Sequence, residues 1–186
     1  MKSLSPRFAL RLRPVDQGDA RRMRAWMDDP QVSRNLGLQT RPTLAKTRAW
    51  IAQASESPSV SALAIEAAGR HVGNLVFDRL DRYLSTARLS IYIGEPAARL
   101  RGLGTRALRL GLQHAFTKLR MRKVWLVVHC QNTPAIRAYR NVGFTIEGVL
   151  REEFILGRRR LPVFYMGILR REFRKTRGVV RGVCSA

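Results

Sequence analysis

The sequence predicts a mixed α/β domain with one sheet of about seven strands, on the basis of three observations. First, its 186 residues suit a single domain with a sizeable core, since 45% are hydrophobic and 26% are charged. Second, segments that alternate apolar and polar residues, as half-buried strands do, are interspersed with segments of helical periodicity. Third, proline and glycine mark the boundaries between these segments. This order is typical of α/β architecture.

The N-terminal quarter predicts a strand followed by two helices. Residues 8–15 alternate enough for an opening strand. Asp16 then caps a helix that runs to about Met27, and the Asp28-Asp29-Pro30 triplet ends it. A second helix starts at Pro42-Thr43 and reaches about Ser55.

Residues 61–93 predict three strands. Residues 61–66 and 71–78 form a hairpin around a turn at Gly69. Residues 86–93 alternate strictly and predict a third strand, which stops at Gly94.

The C-terminal half predicts two helices and three strands. Apolar residues spaced by three and four predict a helix over 105–118. The nearly continuous apolar run 123–128 indicates a buried central strand. Asn132-Thr133-Pro134 combines a capping residue with a proline suited to the first turn, and Gly143 ends that helix. Residues 144–155 and 161–169 form the last hairpin.

Charge is the unusual property of the composition. The chain has 35 Lys and Arg against 13 Asp and Glu, a net charge of +22. Such a field favours anionic partners such as nucleotides, phosphorylated cofactors, RNA or an acidic protein surface. The competing interpretation is that most of these arginines are simply solvated.

Other composition features exclude several classes of protein. No apolar run has the length of a membrane span, and residues 1–13 lack a signal-peptide core, so we expect a cytoplasmic protein without membrane partners. Cys130 and Cys184 have no metal-ligand spacing, so no metal is expected, and no disulfide framework.

Two motifs carry the chemistry. The first is Arg99-x-x-Gly102-x-Gly104, which lies between a predicted strand and a helix. Glycines let an anion approach the backbone, and the helix that follows offers unpaired N–H groups at its positive end. The second is Asn132-x-x-Ala135-x-x-x-Tyr139, which is followed by Gly143-Phe144.

Together the two motifs resemble those of the GCN5-related N-acetyltransferase (GNAT) superfamily. Residues 26–30, 147–151 and 165–170 are similar to its RimJ/RimL-like branch. The resemblance covers about residues 7–173. It implies the acyl-CoA N-acyltransferase fold, with a mostly antiparallel sheet and four helices. It also implies a single N-acetyltransferase domain over 1–173, followed by a basic tail, 174–186, that we expect to be mobile.

The resemblance implies acetyl-CoA as co-substrate. Its pyrophosphate would lie on backbone N–H groups at the start of the helix, with Arg99 and Arg101 as counter-charges. Its pantetheine arm would pair in a gap between strands 89–93 and 124–128, and an N–H near Ile91 to Ile93 would polarise the thioester. The predicted pyrophosphate cradle consists of Arg101, Gly102, Leu103, Gly104, Thr105 and Arg106.

Asn132 and Tyr139 take their roles from the same resemblance. Asn132 would hydrogen-bond the pantetheine arm, although it is also a good helix cap in any protein. Tyr139 would be the general acid for the departing thiolate, with a core aromatic as the alternative. No Cys-His-acid arrangement surrounds Cys130, so direct transfer in a ternary complex is expected.

The general base has several candidates. Many members of the family use a glutamate on the strand before the asparagine motif, and residues 125–128 contain none. The first candidates are Glu152 and Glu153, of which strand alternation would turn one into the cleft. His129 and Glu95 are the alternatives. Pro162 stands where relatives often carry an aspartate.

The predicted function is acetyl transfer from acetyl-CoA to a primary amine, first of all a protein N-terminus of the ribosomal kind. A nucleotide-linked amino sugar or another small amine is the alternative, and polyamines and aminoglycosides are disfavoured by the positive charge. An alternative of another class is a catalytically silent module that binds acetyl-CoA or RNA. The ribosome or another anionic surface is a candidate partner, and the protein would be a monomer or homodimer.

Overall fold

The computed structural model describes residues 10–99 and 102–173. They contain one seven-stranded sheet in the order β1-β2-β3-β4-β5-β7-β6, and only the β4–β5 pair is parallel. The predicted mixed, mostly antiparallel sheet is confirmed. The strands are β1 (Leu10–Pro14), β2 (Ser61–Ala67), β3 (Arg70–Asp81), β4 (Thr86–Ile93), β5 (Lys123–His129), β6 (Thr145–Leu156) and β7 (Arg159–Leu169). The tail 174–186, predicted to be mobile, lies outside the described residues.

The described residues hold five α-helices, one more than predicted, besides 3-10 turns at Gln17–Asp19 and Pro96–Ala98. The additional helix follows Asp28-Asp29-Pro30, where the sequence predicts the end of a helix. Asp29 instead caps the new helix, and Pro30 occupies the first turn, where a missing N–H costs no hydrogen bond. The helices are α1 (Ala20–Trp26), α2 (Pro30–Asn35), α3 (Leu44–Glu56), α4 (Leu103–Thr117) and α5 (Thr133–Arg140).

The two sides of the sheet have separate cores. On one side α1 and α3 form an apolar cluster with the sheet through Trp26, Ile51 and Ala64. On the other side the apolar stripe of α4 joins the larger core of the sheet. Gly111 lets α4 approach closely, since a Cβ there would lie 2.4 Å from Leu75 Cδ1. This packing fixes the middle of α4 against β3.

The sheet opens between its two parallel strands. β4 and β5 are paired only from Thr86–Arg88 to Lys123–Trp125. Beyond these residues each strand keeps its outer partner, β3 for β4 and β7 for β5. A cleft therefore forms between Leu89–Ile93 and Leu126–His129, where the sequence predicts a gap between strands 89–93 and 124–128.

Among the described residues, no helix has both the length and the apolar character needed to cross a bilayer.

Candidate active site

A cavity of about 500 Å³ occupies the cleft between β4 and β5. The beginnings of α4 and α5 lie on one side of it, and α2 and the end of β6 contribute the rest of the wall. None of the described residues that line it is a carboxylate. Its polar and charged lining residues are Gln31, Asn35, Arg88, Ser90, Tyr92, Arg99, Thr105, His129, Asn132 and Tyr139.

The beginning of α4 has the geometry of an anion cradle. Gly102 is its N-cap with φ +71°, a left-handed conformation suited to glycine, and it has no side chain that could cap the helix. A Cβ at Gly104 would meet only Ile93 Cγ1, at 3.9 Å. The N–H groups of this first turn are therefore accessible to a phosphate group.

The structure places three of the six predicted cradle residues at the cavity. Gly102, Gly104 and Thr105 line it, as do Ile91 and Ile93 on β4. Two other predicted cradle residues do not: Leu103 packs against the core and Arg106 is exposed. Arg101 lies outside the described residues.

Arg99 lines the cavity, but its guanidinium is bound to protein groups. Nε donates to the carbonyl of Ile93 at 3.0 Å, and Nη2 donates to that of Gly94 at 2.8 Å. Nη1 donates to Gln31 Oε1 at 2.9 Å, and Nη2 lies 2.7 Å from Asp29 Oδ2. All three nitrogens thus have partners other than the predicted phosphate.

Asn132 lies at the junction of β5 and α5. Its backbone N–H donates to the carbonyl of His129 at 2.9 Å, and its Oδ1 accepts the N–H of Ala135 at 3.3 Å. The capping role is therefore confirmed. Its position on the cavity wall is compatible with a pantetheine contact, which stays a prediction.

Tyr139 also borders the cavity and is 8% exposed. Its ring meets Phe144 edge to face, with centroids 5.8 Å apart. Burial raises the pKa of its hydroxyl to about 12, because the charged phenolate would lose its hydration. Tyr139 therefore keeps its proton at physiological pH, as a general acid must.

The structure does not bring Glu152 or Glu153 into the cavity lining, and both are exposed. Their strand is irregular here, since the register jumps between Leu150, which pairs with Val163, and Phe154, which pairs with Leu161. β6 thus carries two additional residues opposite Pro162, which has no N–H to donate to the ladder. The expectation that alternation would turn one carboxylate inward fails at this bulge, and their role as base stays a prediction.

His129, the alternative base, does line the cavity. It is 7% exposed, and its Nε2 lies 3.4 Å from Asn35 Oδ1. Burial lowers the pKa of its imidazole. The ring is therefore neutral at physiological pH. Glu95, the remaining alternative, is not among the described lining residues.

A buried polar network lies behind β4 and was not predicted from the sequence. Tyr92, which lines the cavity, accepts a hydrogen bond from Asn74 Nδ2 at 2.6 Å. Asn74 Oδ1 lies 2.8 Å from His71 Nε2, and His71 Nδ1 lies 2.9 Å from Asp19 Oδ1. The sequence does contain a signal for this network, because polar residues occupy inward-facing positions of the predicted strands.

The comparison with protein families agrees with this geometry. Residues 9–145 match the model described as "Acetyltransferase (GNAT) domain". The chain belongs to the GNAT family. It is thus an N-acetyltransferase that uses acetyl-CoA, as the sequence motifs predicted.

Similar proteins show how widely the match extends. Spermidine N(1)-acetyltransferase of Escherichia coli K12 is 26% identical over 148 residues, which are 80% of this chain and 79% of that protein. An uncharacterized N-acetyltransferase, p20, of Bacillus licheniformis is 21% identical over 169 residues, with 88% and 94% covered.

Two solved structures share the fold. One is the Vibrio cholerae spermidine N-acetyltransferase in complex with CoA and spermine, with a TM-score of 0.84 at 22% identity, covering 89% of this chain and 98% of that one. The other is Mycobacterium smegmatis RimJ in complex with CoA-disulfide, with a TM-score of 0.82 at 21% identity, covering 95% and 91%. At these identities the likeness concerns the fold.

Proposed function

We propose that this acetyltransferase modifies the N-terminal amine of a protein, by direct attack of the amine on acetyl-CoA in a ternary complex. The observation that carries the proposal is the absence of carboxylates from the described lining of the cavity. A polyamine brings several positive charges, and these would enter a site without counter-charges. A peptide brings a single amine, which must in any case be neutral when it attacks.

The arginines of the cavity are already neutralised by protein carboxylates. Arg88 forms a bidentate pair with Asp78, with bonds of 2.7 and 2.6 Å, and Arg99 is paired with Asp29. The cavity therefore attracts neither a polycation nor a strongly anionic acceptor. The net charge of +22 adds a long-range repulsion of polycations.

The residues at the cleft can support the individual steps. The neutral amine nitrogen attacks the thioester carbon, and the electron pair of the C=O bond moves to the oxygen. As that pair returns, the carbon–sulfur bond breaks and the thiolate leaves, while the nitrogen gives its extra proton to the general base, for which His129 is the candidate on the cavity wall. Among the described residues, the backbone of β4 after Arg88 has no strand partner on the side facing β5, so an N–H of Ile91 to Ile93 can stabilise the carbonyl oxygen. The hydroxyl of Tyr139 donates a hydrogen bond to the departing sulfur.

The elevated pKa of Tyr139 limits what its proton can do. A free thiol has a pKa of about 8.5, so complete transfer from a hydroxyl whose pKa is about 12 is uphill. Tyr139 therefore acts first as a hydrogen-bond donor that stabilises the thiolate. Burial of the sulfur raises the pKa of the thiol and brings the two groups closer in proton affinity.

A polyamine is the second candidate acceptor. It is favoured by the relative from E. coli, which is named as a spermidine acetyltransferase. The two candidates make opposite demands on the cavity, because a polyamine needs carboxylates and a peptide needs polar groups for its backbone. Gln31, Asn35 and Ser90 supply such polar groups here.

A thiol-release assay on the purified protein tests the proposal. The acceptors are peptides with free N-termini, the same peptides with blocked N-termini, spermidine, spermine and a nucleotide-linked amino sugar. We expect turnover with free peptides alone, with mass spectrometry placing the acetyl group on the N-terminal nitrogen. A kcat/KM for spermidine above that of every peptide would replace the proposal with the polyamine function.

We also propose that the protein is cytoplasmic, monomeric or homodimeric, and drawn to the ribosome or another anionic surface by its charge. Cosedimentation with ribosomes that is lost as salt increases would support the last point. Binding that is insensitive to salt, or no binding at low salt, would contradict it.

A further inference from the structure

We propose that Arg99 is a positioning residue and not a ligand of the CoA phosphates. It holds α2, which we assign to the acceptor wall of the cavity, against the end of β4, beside which the thioester would lie. The inference concerns the acetyl-transfer site described above and so depends on the proposed function. Its basis is the arrangement of four protein groups around one guanidinium.

The four partners of Arg99 belong to two different walls of the cavity. The carbonyls of Ile93 and Gly94 lie at the end of β4, beside the proposed thioester position. Asp29 and Gln31 lie at the beginning of α2, on the acceptor side. The arginine fork is rigid, so bonds to both walls fix the distance between them.

The α2 helix depends on this connection. It has only six residues, far fewer than a helix needs to persist alone in water. Val32 is buried and anchors its middle, while its beginning is held by Asp29. One oxygen of Asp29 accepts a hydrogen bond from the N–H of Gln31 at 2.8 Å, and the other is paired with Arg99. A single carboxylate therefore both caps the helix and connects it to Arg99; we call the bonds of Arg99 to Asp29, Gln31, Ile93 and Gly94 the clamp.

The end of β4 is held by other contacts, so the bonds of Arg99 determine the position of α2 and not that of the strand. The N–H groups of Gly94 and Glu95 both donate to the carbonyl of Val72, at 2.9 and 3.0 Å. Trp26 packs over Gly94, where a Cβ would lie 2.0 Å from the indole ring. With β4 held in this way, the side chain of Arg99 sets the position of Gln31, Val32 and Asn35 on the acceptor wall.

Burial argues for the same role. The side chain of Arg99 is 17% exposed, and each of its nitrogens already has an oxygen partner. The hydrogen bond from Gln31 N–H, together with the Arg99 guanidinium, holds the pKa of Asp29 below its usual value, so the pair stays charged at physiological pH. A phosphate could bind Arg99 only after displacing Asp29 or Gln31.

The experiment compares Arg99→Lys and Asp29→Asn with matched controls. Lysine keeps the charge that a phosphate would need but cannot span four oxygens. Asparagine keeps the helix cap but loses the charge that faces Arg99. Arg34→Lys, in the same helix, and Asp28→Asn, the neighbouring carboxylate, change residues that do not contact Arg99.

Two measurements are made on each variant. The first is the KM for the best acceptor of the panel beside the KM for acetyl-CoA. We expect Arg99→Lys and Asp29→Asn to raise the acceptor KM about tenfold each, with the acetyl-CoA KM within about twofold of wild type. The double variant should be no worse than the single ones, because both remove the same interaction.

The second measurement combines amide hydrogen exchange over residues 30–36 with the affinity for acetyl-CoA, determined by calorimetry. Neither method needs an acceptor. The proposal is supported if exchange is faster in Arg99→Lys and Asp29→Asn, the control variants exchange like wild type, and the affinity for acetyl-CoA is unchanged. This result supports the role of Arg99 even if the assigned acceptor is wrong. Unchanged exchange in Arg99→Lys overturns the proposal. An Asp29→Asn variant with the wild-type KM for the acceptor also overturns it. A further variant, Arg99→Ala, tests the phosphate role directly. If Arg99→Ala binds acetyl-CoA more weakly and Arg99→Lys binds it like wild type, Arg99 is a phosphate ligand and the proposal is wrong.

Discussion

The ring of Phe154 stacks on the imidazole of His129, with centroids 4.8 Å apart and planes inclined by 26°. The same ring lies against Gly37, where a Cβ would be 3.0 Å away. These contacts join the end of β5, the bulge of β6 and the loop after α2 into one wall. The wall shields the imidazole from water and accounts for the lowered pKa of His129.

The first prediction concerns the group that takes the proton of the amine. His129 has a lowered pKa, so it is unprotonated above that pKa and loses its basic form as the pH falls through it. If His129 is the base, kcat/KM calculated for the neutral form of the amine should hold to a pH below the usual pKa of histidine, about 6.5, and then decline. His129→Gln should lower kcat about a hundredfold and remove that decline.

Glu152→Gln and Glu153→Gln are the comparison for His129, since those carboxylates were the first candidates from the sequence. Both are exposed and outside the cavity lining, so we expect each to retain kcat within about twofold. A hundredfold loss in either variant, with His129→Gln active, would instead identify a carboxylate as the base. It would also require the bulge to move when substrates bind.

The second prediction concerns Tyr139. Removing its hydroxyl in Tyr139→Phe leaves the ring and its contact with Phe144 in place. We expect kcat to fall about a hundredfold, because the thiolate loses its hydrogen-bond donor, while the Kd for acetyl-CoA changes little. Calorimetry and steady-state kinetics on one preparation separate the two effects. A variant with wild-type kcat would make Tyr139 a core aromatic only.

The third prediction concerns the approach to the first turn of α4. Gly104→Arg places a long side chain where the pyrophosphate would lie, and we expect no measurable binding of acetyl-CoA. Gly104→Ala is the control, since its Cβ would make an ordinary contact with Ile93 and alanine favours the helix by about 1 kcal/mol. Calorimetric titration with acetyl-CoA and circular dichroism are measured on both. If Gly104→Arg folds and still binds, the loop is only a turn.

Parts of the fold with a strong local pattern were predictable. The alternation in residues 86–93 and the Asn132-Thr133-Pro134 cap gave β4 and α5 nearly at their observed bounds. The additional helix α2 was missed because Asp29-Pro30 both ends one helix and begins the next. The same capping rule that found α5 would have found α2 if applied there.

The contents of the site were less predictable, for a physical reason. Gly102 and Tyr139 reach the cavity through local geometry, a helix start and a helix face. Glu152 did not follow its alternation, because Pro162 on the partner strand breaks the ladder. The partners of Arg99 come from a segment about seventy residues away and from a strand end, so no local pattern contains them.

The last prediction concerns the acid stability of the buried network behind β4. Asp19 is 5% exposed. Burial alone would raise the pKa of its carboxyl, but two 2.7 Å hydrogen bonds from Arg13, one from the Asp16 N–H and the nearby His71 charge together lower it. A carboxyl with a lowered pKa stabilises the fold above its unfolded pKa, about 3.9. This stability is lost as the pH falls through the folded pKa.

Asp19→Asn tests this relationship. We expect the free energy of unfolding at neutral pH to drop by about 2 kcal/mol, because the half-buried Arg13 loses its hydrogen bonds to the Asp19 carboxylate and keeps only Glu66 and Asp16 as carboxylate partners. The gap between wild type and variant should close as the pH falls below about 4, where the wild-type carboxylate becomes protonated. Urea unfolding followed by circular dichroism at several pH values measures both effects.

Asp16→Asn is the matched control, since Asp16 is largely exposed and asparagine preserves its cap. The loss of unfolding free energy in this variant should stay below about 1 kcal/mol at every pH. A pH-independent loss in Asp19→Asn would mean that its carboxylate contributes shape to the core but no charge-dependent stability.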